Sequence, residues 1–523
     1  MLAKIPSCGL SGIDGFEVTV EVNMSHGMVL FEIVGLPDAA VKESRERVDT
    51  ALRNSGFHFP PERLVVNLAP ADQRKEGPAF DLPIALGILC CMGIVDRHAL
   101  EGMCVFGELS LDGTLRPVRG ALPMVISAME RGVKRFLLPV GNAGEVSCIE
   151  GAEIYPVTSL LQVVRHLTGR QLVPARDALG TVGAAPIEPI RPIPYRTLMG
   201  QRVFSEDFCH VKGQAKAKRA LEIAAAGGHN VLMIGPPGSG KTLMARCMPT
   251  ILPDMTFEEA LEVTRIHSVA GVVPPSGLLT ERPFRSPHHT ASYASLVGGG
   301  PNALPGEISK AHHGVLFLDE LPEYPRNVLE ALRQPLEDGF VTITRVNAQS
   351  TYPSRFVLVC SMNPCPCGNL GSRTKQCRCT PNEIRRYLNR ISGPLLDRID
   401  MHIEVESIPA EKLADASLSE PSDAIRRRVE AAREVQRRRY EGMGLHCNAD
   451  LNARTLPGVC RLSASAQALI TASTDRMKLS NRAYTRILKV ARTICDLDGL
   501  EEIGDEQVAE DVQYRTLDRK YWG

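Results

Sequence analysis

Eight consecutive residues carry the clearest chemistry in this sequence: Gly235, Pro236, Pro237, Gly238, Ser239, Gly240, Lys241 and Thr242. Glycines at this spacing let successive backbone N–H groups curl around an anion at a helix N-terminus. Lys241 would then reach the β- and γ-phosphates of a nucleoside triphosphate, and Thr242 would hold its magnesium. An acidic pair, Asp319-Glu320, follows the apolar run 315–318. Asp319 suits the magnesium shell, and Glu320 can orient or polarise an attacking water. Asn363 stands just past a third apolar run, 356–361, where an amide can position the same water. The chemistry expected of this set is hydrolysis of ATP with Mg2+.

Two Cys-x-Cys pairs, Cys365-Pro-Cys367 and Cys377-Arg-Cys379, flank a turn-rich basic stretch. Four thiolates can close a tetrahedral Zn2+ site. The spacing is tighter than the usual Cys-x2-Cys, so free or redox-active thiols are the alternative. Most of the other cysteines are scattered, several of them in apolar runs (Cys90, Cys91, Cys360), as buried thiols of a reducing compartment would be. The pairs His288–His289 and His312–His313 are expected to cap or pack rather than to ligate metal.

The elements that must position these residues follow from hydrophobic period. From residue 201 the pattern runs helix, strand, Gly-rich loop, helix, then the acidic strand near 315. That is the alternation of a parallel-sheet α/β domain. Residues 404–523 read as mostly helical and Arg-rich. Within them 425–440 carries seven Arg and two Glu, with Ile425, Val429 and Ala432 at helical spacing and Arg426/Glu430 and Glu434/Arg438 four apart. A solvated amphipathic helix and a DNA contact both fit that pattern. Residues 1–168 read as a mixed α/β domain: Phe16, Val18, Val20 and Val22 alternate like a half-buried strand, and 81–92 is an apolar helix. Asp112-Gly113 marks a turn between two short strands. Five prolines between 169 and 200 (Pro174, Pro186, Pro189, Pro192, Pro194) favour an extended linker.

The whole chain bounds this reading. Its 523 residues leave room for about three domains. Lys plus Arg and Asp plus Glu both number 60, so no global basic field advertises a nucleic-acid partner. The N-terminal Met1-Leu-Ala-Lys-Ile-Pro6 does not open a signal peptide, and no run of about 18 apolar residues predicts a membrane span. A cytoplasmic protein with no membrane partner is expected.

Longer runs carry a resemblance. Phe31-Glu-Ile-Val-Gly-Leu-Pro37, Asn67-Leu-Ala-Pro-Ala-Asp72, Gly306-Glu-Ile-Ser309, Gly314-Val-Leu-Phe-Leu-Asp-Glu-Leu-Pro-Glu323, Met362-Asn-Pro-Cys-Pro-Cys-Gly368 and Arg482-Ala-Tyr-Thr-Arg486 resemble the AAA+ superfamily. Within it they resemble the magnesium-chelatase-like branch and its ComM/YifB group. The resemblance covers nearly the whole chain. It implies an AAA+ P-loop α/β core at 201–403 and a C-terminal helical lid at 404–523. It gives Asn363 the sensor-1 role, makes Arg398 an arginine finger reaching a neighbouring subunit, and makes Arg482 the sensor-2 arginine. Val211-Lys-Gly-Gln214 would lie beside the adenine. A finger used in trans implies a ring, and the family forms hexamers. Members drive branch migration of DNA during natural transformation, so the implied partner is branched or single-stranded DNA, with other recombination proteins as further partners.

The same resemblance gives residues 1–168 the fold of a Lon-type peptidase domain, like domain 2 of ribosomal protein S5, through Lys75-Glu-Gly-Pro-Ala-Phe-Asp81 and Gly120-Ala-Leu-Pro123. Ala79 and Pro123 stand where the Ser–Lys dyad would be, and neither supplies a nucleophile or a base. No protease is expected. A ring that moves DNA needs loops aimed at its pore. The Gly-rich insert 286–306 and the hairpin 340–356, with Arg345 and Asn347 near its tip, are the candidates. The rival reading is a chelatase-type or chaperone-like ATPase that remodels a protein partner, which the balanced net charge favours.

Overall fold

The computed structural model describes residues 1–169, 187–199, 204–274, 277–345, 349–371, 375–408, 418–477 and 480–522. Contacts divide the chain into two compact units. One is Met1–Gln201 with Phe257–Thr280, and the other is Arg202–Thr256 with Glu281–Gly523.

The first unit is mixed α/β. Its strand Asp14–Ser25 pairs antiparallel with Leu2–Ser11 on one side and Arg63–Ala69 on the other, and Leu30–Val34 adds in parallel at the edge. Val18, Val20 and Val22 are fully buried, as alternation requires. The helix Asp81–Cys91 is buried at every position, which explains an apolar run with no polar face. Its first residue, Asp81, is held by Arg47 in a two-pronged pair at 2.7 and 3.0 Å. A second sheet, all parallel, joins Met103–Val105, Arg135–Pro139 and Glu153–Val157. The Asp112-Gly113 turn links Glu108–Leu109 to Leu115–Arg116, as its sequence predicts.

Two segments depart from the sequence-based boundaries. The helix Phe257–Ala270 follows the P-loop helix in sequence, inside the stretch 201–403 read as one core, yet it folds with the first unit. Leu261 packs into that unit's core, Ser268 Oγ donates to Glu145 Oε2 at 2.6 Å, and Arg265 pairs with Asp14 at 2.5 Å. The described part of the linker, 187–194, has no regular secondary structure, as its prolines favour, but it packs on the first unit. Ile187 is buried in the core, and the amides of Ile190 and Ile193 donate to Ile154 and Ser147 at 2.9 and 3.0 Å. The short helix Tyr195–Met199 follows. Pro174 and Pro186 lie outside the described residues.

The second unit is built on a parallel sheet in the order Phe284–Arg285, Val315–Leu318, Val357–Met362, Val231–Ile234, Met401–Glu404. The three central strands are buried along their full length, as expected of a sheet covered by helices on both faces. Beyond the sheet the chain is helical: Ser422–Arg439, Ala464–Met477, Asn481–Leu497, Asp505–Gln513 and Thr516–Trp522. The helix Ser422–Arg439 buries Ile425, Val429 and Ala432 as predicted, together with Gln436. All seven of its arginines have partners. Arg428 meets Glu222 and Glu420, Arg439 meets Asp496, Arg433 donates to the Ala225 carbonyl, Arg437 and Arg438 share Glu434, and Arg426 and Arg427 share Asp423. Arg426 takes Asp423 and Asp254 rather than the expected Glu430. Among the described residues no helix is long and apolar enough to cross a membrane.

Candidate nucleotide site

The sheet order puts the strand Val357–Met362 between the P-loop strand and the acidic strand. Since all three run parallel, their C-terminal ends open at one edge, where open α/β sheets bind ligands. Three segments therefore converge without further help: the loop after Ile234, Asp319-Glu320 after Leu318, and Asn363 after Met362. They line one cavity of about 420 Å³, with Pro237, Gly238, Ser239, Gly240, Lys241, Thr242, Leu243, Ser361 and Met362 as the rest of its wall. Gly240, at φ +91°, caps the helix Lys241–Ile251, a backbone turn that a side chain would resist. Gly235 and Pro236 stand just outside this wall and hold Lys241, whose Nζ donates to their carbonyls at 2.7 and 2.9 Å.

Lys241 also reaches Asn363 Oδ1 at 3.4 Å. It is only 8% exposed. Burial pulls its ammonium down to about 8, against the opposing pull of Asp319 and Glu320. Such a lysine is partly desolvated and surrounded by carbonyls, so a phosphate offers it a better partner. Thr242 Oγ1 donates to Asp319 Oδ2 at 3.0 Å. Two oxygens of one octahedral magnesium shell would lie about 2.9 Å apart, so this pair fits Mg2+. Ser361 donates to the other oxygen of Asp319, and the Glu320 amide donates to that oxygen at 3.0 Å. Ser239 Oγ is buried with no hydrogen-bond partner, a polar atom left for a ligand. Gln214 donates to the Ser239 carbonyl at 3.2 Å and the Glu406 carbonyl at 2.7 Å, so the Val211–Gln214 turn touches the loop directly.

Arg398 and Arg482 are brought together, but neither lines the cavity. Both reach the carboxylate of Glu337. Arg398 forms a close pair with it and donates to the Pro394 carbonyl at 2.8 Å, while Arg482 stands 3.5 Å from its other oxygen. Arg398 is 6% exposed. In the sequence nothing marks Glu337 as their shared partner.

Glu320 shows what spacing could not reveal. Its backbone is left-handed, at φ +53° and ψ +49°. Its Oε2 lies 3.4 Å from His289 Nδ1. The His289 ring packs against His288 and Tyr324. His289 thus packs, as expected, but on the residue assigned to the water.

The four clustered cysteines do converge. Their sulfurs all lie within 4.8 Å of one another. Cys365 lies 3.4 Å from Cys367 and 3.6 Å from Cys377, and Cys367 lies 3.6 Å from Cys377. Tetrahedral thiolates at about 2.3 Å from zinc sit about 3.8 Å apart, so the donor set fits Zn2+. The backbone amides of Arg378 and Asn369 pull the Cys367 thiol down to about 6, toward the thiolate that a metal takes. All fifteen cysteines are free thiols.

The two proposed pore segments pack on each other. The hairpin Phe340–Thr344/Gln349–Pro353 sends the Tyr352 hydroxyl to the Ala303 carbonyl at 3.0 Å, and the Arg345 guanidinium lies against Gly299. Asn347 lies outside the described residues. In the first unit, Ala79 and Pro123 are both buried, and the buried Lys75 donates to the Pro70 and Gln73 carbonyls.

Comparison with known proteins agrees with this architecture. The family profile "Magnesium chelatase, subunit ChlI" matches residues 207–413, "Subunit ChlI of Mg-chelatase" matches 20–142, and "Magnesium chelatase, subunit ChlI C-terminal" matches 419–515. "Competence protein ComM" of Haemophilus influenzae is 41% identical over 519 residues, covering 99% of this chain and 98% of its own. The chain belongs to the ComM/YifB group of magnesium-chelatase-like AAA+ proteins. The uncharacterised YifB of Escherichia coli is 40% identical over 509 residues, 97% of this chain and 96% of its own. A Lon protease of Lachnoclostridium phytofermentans is 24% identical over 173 residues, covering 30% of this chain and 21% of its own. In this ComM/YifB chain the P-loop core and the helical C-terminal region are thus shared features of a family, while the Lon-like likeness is partial and weak.

Proposed function

We propose that this ComM/YifB chain is an ATP-driven motor that remodels DNA, acting as a hexameric ring that drives branch migration of recombination intermediates in the cytoplasm. The observation that carries the ATPase half is the convergence of Lys241, Thr242, Asp319, Glu320 and Asn363 on one cavity. Lys241 would bind the β- and γ-phosphates, Thr242 and Asp319 would hold Mg2+, and Glu320 and Asn363 would orient the attacking water. The bound magnesium would neutralise charge on the phosphates. Arg398, which shares Glu337 with Arg482, would turn to a neighbouring subunit's γ-phosphate on assembly, and Arg482 would act as the sensor-2 arginine of the helical lid. The clustered cysteines would hold Zn2+ as a structural ion. The DNA half rests on the near full-length likeness to a competence protein and on Arg345, exposed on the hairpin beside the Gly-rich insert.

The first unit would serve assembly or partner binding, since Ala79 and Pro123 offer no peptidase chemistry. The deciding experiment is a branch-migration assay on a synthetic three-stranded junction, run with ATP and with a non-hydrolysable analogue. ATP-dependent strand exchange, with ATPase activity raised by the junction, supports the reading. ATPase activity indifferent to every DNA tested would sink it and favour a motor that remodels a protein partner.

A further inference from the structure

The loop that carries the first two clustered cysteines also presses on the nucleotide loop. Gly368 follows Cys367 directly, and its amide donates to the Cys365 carbonyl at 2.9 Å. A Cβ on Gly368 would stand 2.6 Å from Pro237 Cδ and 2.9 Å from Pro237 Cγ, closer than any real contact, and 3.8 Å from the Asn363 side chain. Gly368 also holds φ +76°, so a side chain there is strained as well as crowded. Pro237 belongs to the cavity wall, and Asn363, which touches Lys241, lies two residues before Cys365.

The second cysteine pair is anchored from another direction. Cys379 immediately precedes Thr380, which caps the helix Pro381–Leu388 through a reciprocal capping box with Glu383. Near the end of that helix, the buried Tyr387 hydroxyl lies in the neighbourhood of the Asn363 backbone amide. The four sulfurs therefore tie together two chain segments that both return to the neighbourhood of Asn363, one through Gly368 and one through Tyr387.

We propose that a zinc(II) ion on Cys365, Cys367, Cys377 and Cys379 fixes the nucleotide site, by clamping Gly368 against Pro237 and holding Asn363 beside Lys241. This rests on reading the cavity as an ATP site and the cysteines as zinc ligands. The ion sits outside the phosphate-binding residues and acts through them. ATP affinity then depends on zinc occupancy. Without the ion, the Cys365–Cys367 loop has only its own hydrogen bonds to keep Gly368 in place, and Pro237 loses its backing.

The test measures zinc content and the affinity of a fluorescent ATP analogue separately, on the full chain. The expected result is one zinc per chain as purified. Stripping zinc with a chelator should weaken analogue binding about tenfold, equivalent to about 1.4 kcal/mol, and restored zinc should recover it. Cys377→Ser should lose zinc and affinity together. Gly368→Val, which thrusts a side chain at Pro237 but leaves every sulfur, should keep its zinc and stay folded at the assay temperature, with a lowered unfolding temperature, yet bind the analogue about tenfold more weakly. Should stripping unfold the chain, Gly368→Val alone decides. Zinc that neither copurifies nor reconstitutes overturns the zinc reading. Wild type that fails to bind the analogue overturns the nucleotide reading. Normal zinc with wild-type affinity in Gly368→Val overturns the coupling itself.

Discussion

His289 Nδ1 stands 3.4 Å from Glu320 Oε2, and Glu320 meets it from a left-handed backbone. A non-glycine residue held there costs about 1–3 kcal/mol, which the surrounding fold must supply. The Glu320 amide bonded to Asp319 and the imidazole at the side-chain end together fix the direction of the carboxylate. His289 does not line the cavity, so its effect on nucleotide binding should be small. We expect His289→Ala to lower kcat roughly tenfold with KM for ATP unchanged, and His289→Gln to recover part of it, in line with the sensitivity of catalysis to sub-ångström placement. A rise in KM with kcat intact would assign His289 to binding instead.

Lys241 and Glu320 should fail in different ways. Lys241→Ala removes the cation from the phosphates and should cost on the order of 100-fold in nucleotide affinity, as loss of about 3 kcal/mol of charged hydrogen bonding implies. Glu320→Gln keeps the shape of the site and should bind normally while kcat falls by about 10²–10⁴-fold. Equilibrium binding of a fluorescent nucleotide, set beside steady-state phosphate release, separates the two. Wild-type turnover by Glu320→Gln would remove it from the mechanism.

Arg398 should act across a subunit boundary. Arg398→Ala and Glu320→Gln should each be inactive alone, and mixed protein should regain part of its turnover where one interface holds both intact groups. In the single chain Arg398 is buried against Glu337, so assembly must trade that carboxylate for phosphate. Sedimentation with ATP and magnesium should show a ring. A fully active monomer is incompatible with this arrangement.

Arg345 is the described hairpin cation nearest the tip, exposed and resting on Gly299. If it contacts a phosphate, Arg345→Ala should weaken DNA binding and reduce the slope of log K against log salt by about 0.9. An unchanged slope would exclude it as a phosphate contact.

His229 predicts an acid limb in stability. It is fully buried, bonded to Thr493 Oγ1 at 2.7 Å and 3.8 Å from Asp400. Burial lowers its pKa from 6.5 to about 4, with Asp400 opposing and Lys489, Arg433 and Arg486 assisting. The unfolded chain therefore binds a proton that the folded chain refuses. Stability from this group is complete above pH 6.5 and falls by about 1.4 kcal/mol per unit as the pH drops toward 4. Urea unfolding of wild type and His229→Gln between pH 8 and 4 should show the steeper acid loss in wild type alone.

The nucleotide loop, the acidic pair and the strand before Asn363 were legible in sequence because each is local: an apolar strand followed at once by its functional residue. The strands of the first unit and the stripe of Ile425, Val429 and Ala432 were legible for the same reason, since period reports which face is buried. What escaped was set by contacts between distant segments. Glu337 sits on a short helix with no pattern, and only the fold places it between Arg398 and Arg482. His289 resembled any other loop histidine until the strand Phe284–Arg285 paired beside the acidic strand and carried it to Glu320. Helix Phe257–Ala270 follows the nucleotide-loop helix in sequence, and nothing local in its residues marks that it folds with the other unit.

That helix changes what can be cut from this chain. The polypeptide passes between the units three times, after Gln201, after Thr256 and after Thr280. A fragment beginning at residue 202 would carry 14 helical residues whose buried Val263 and Ile266 fold with a unit that is no longer there. A fragment ending at residue 201 would lack the helix and leave a gap in its own core. The first unit is therefore not a detachable appendage that deletion could remove or a gene fusion could append at one seam. Separating the halves of this chain cleanly therefore requires two further breaks inside the sequence of the second unit.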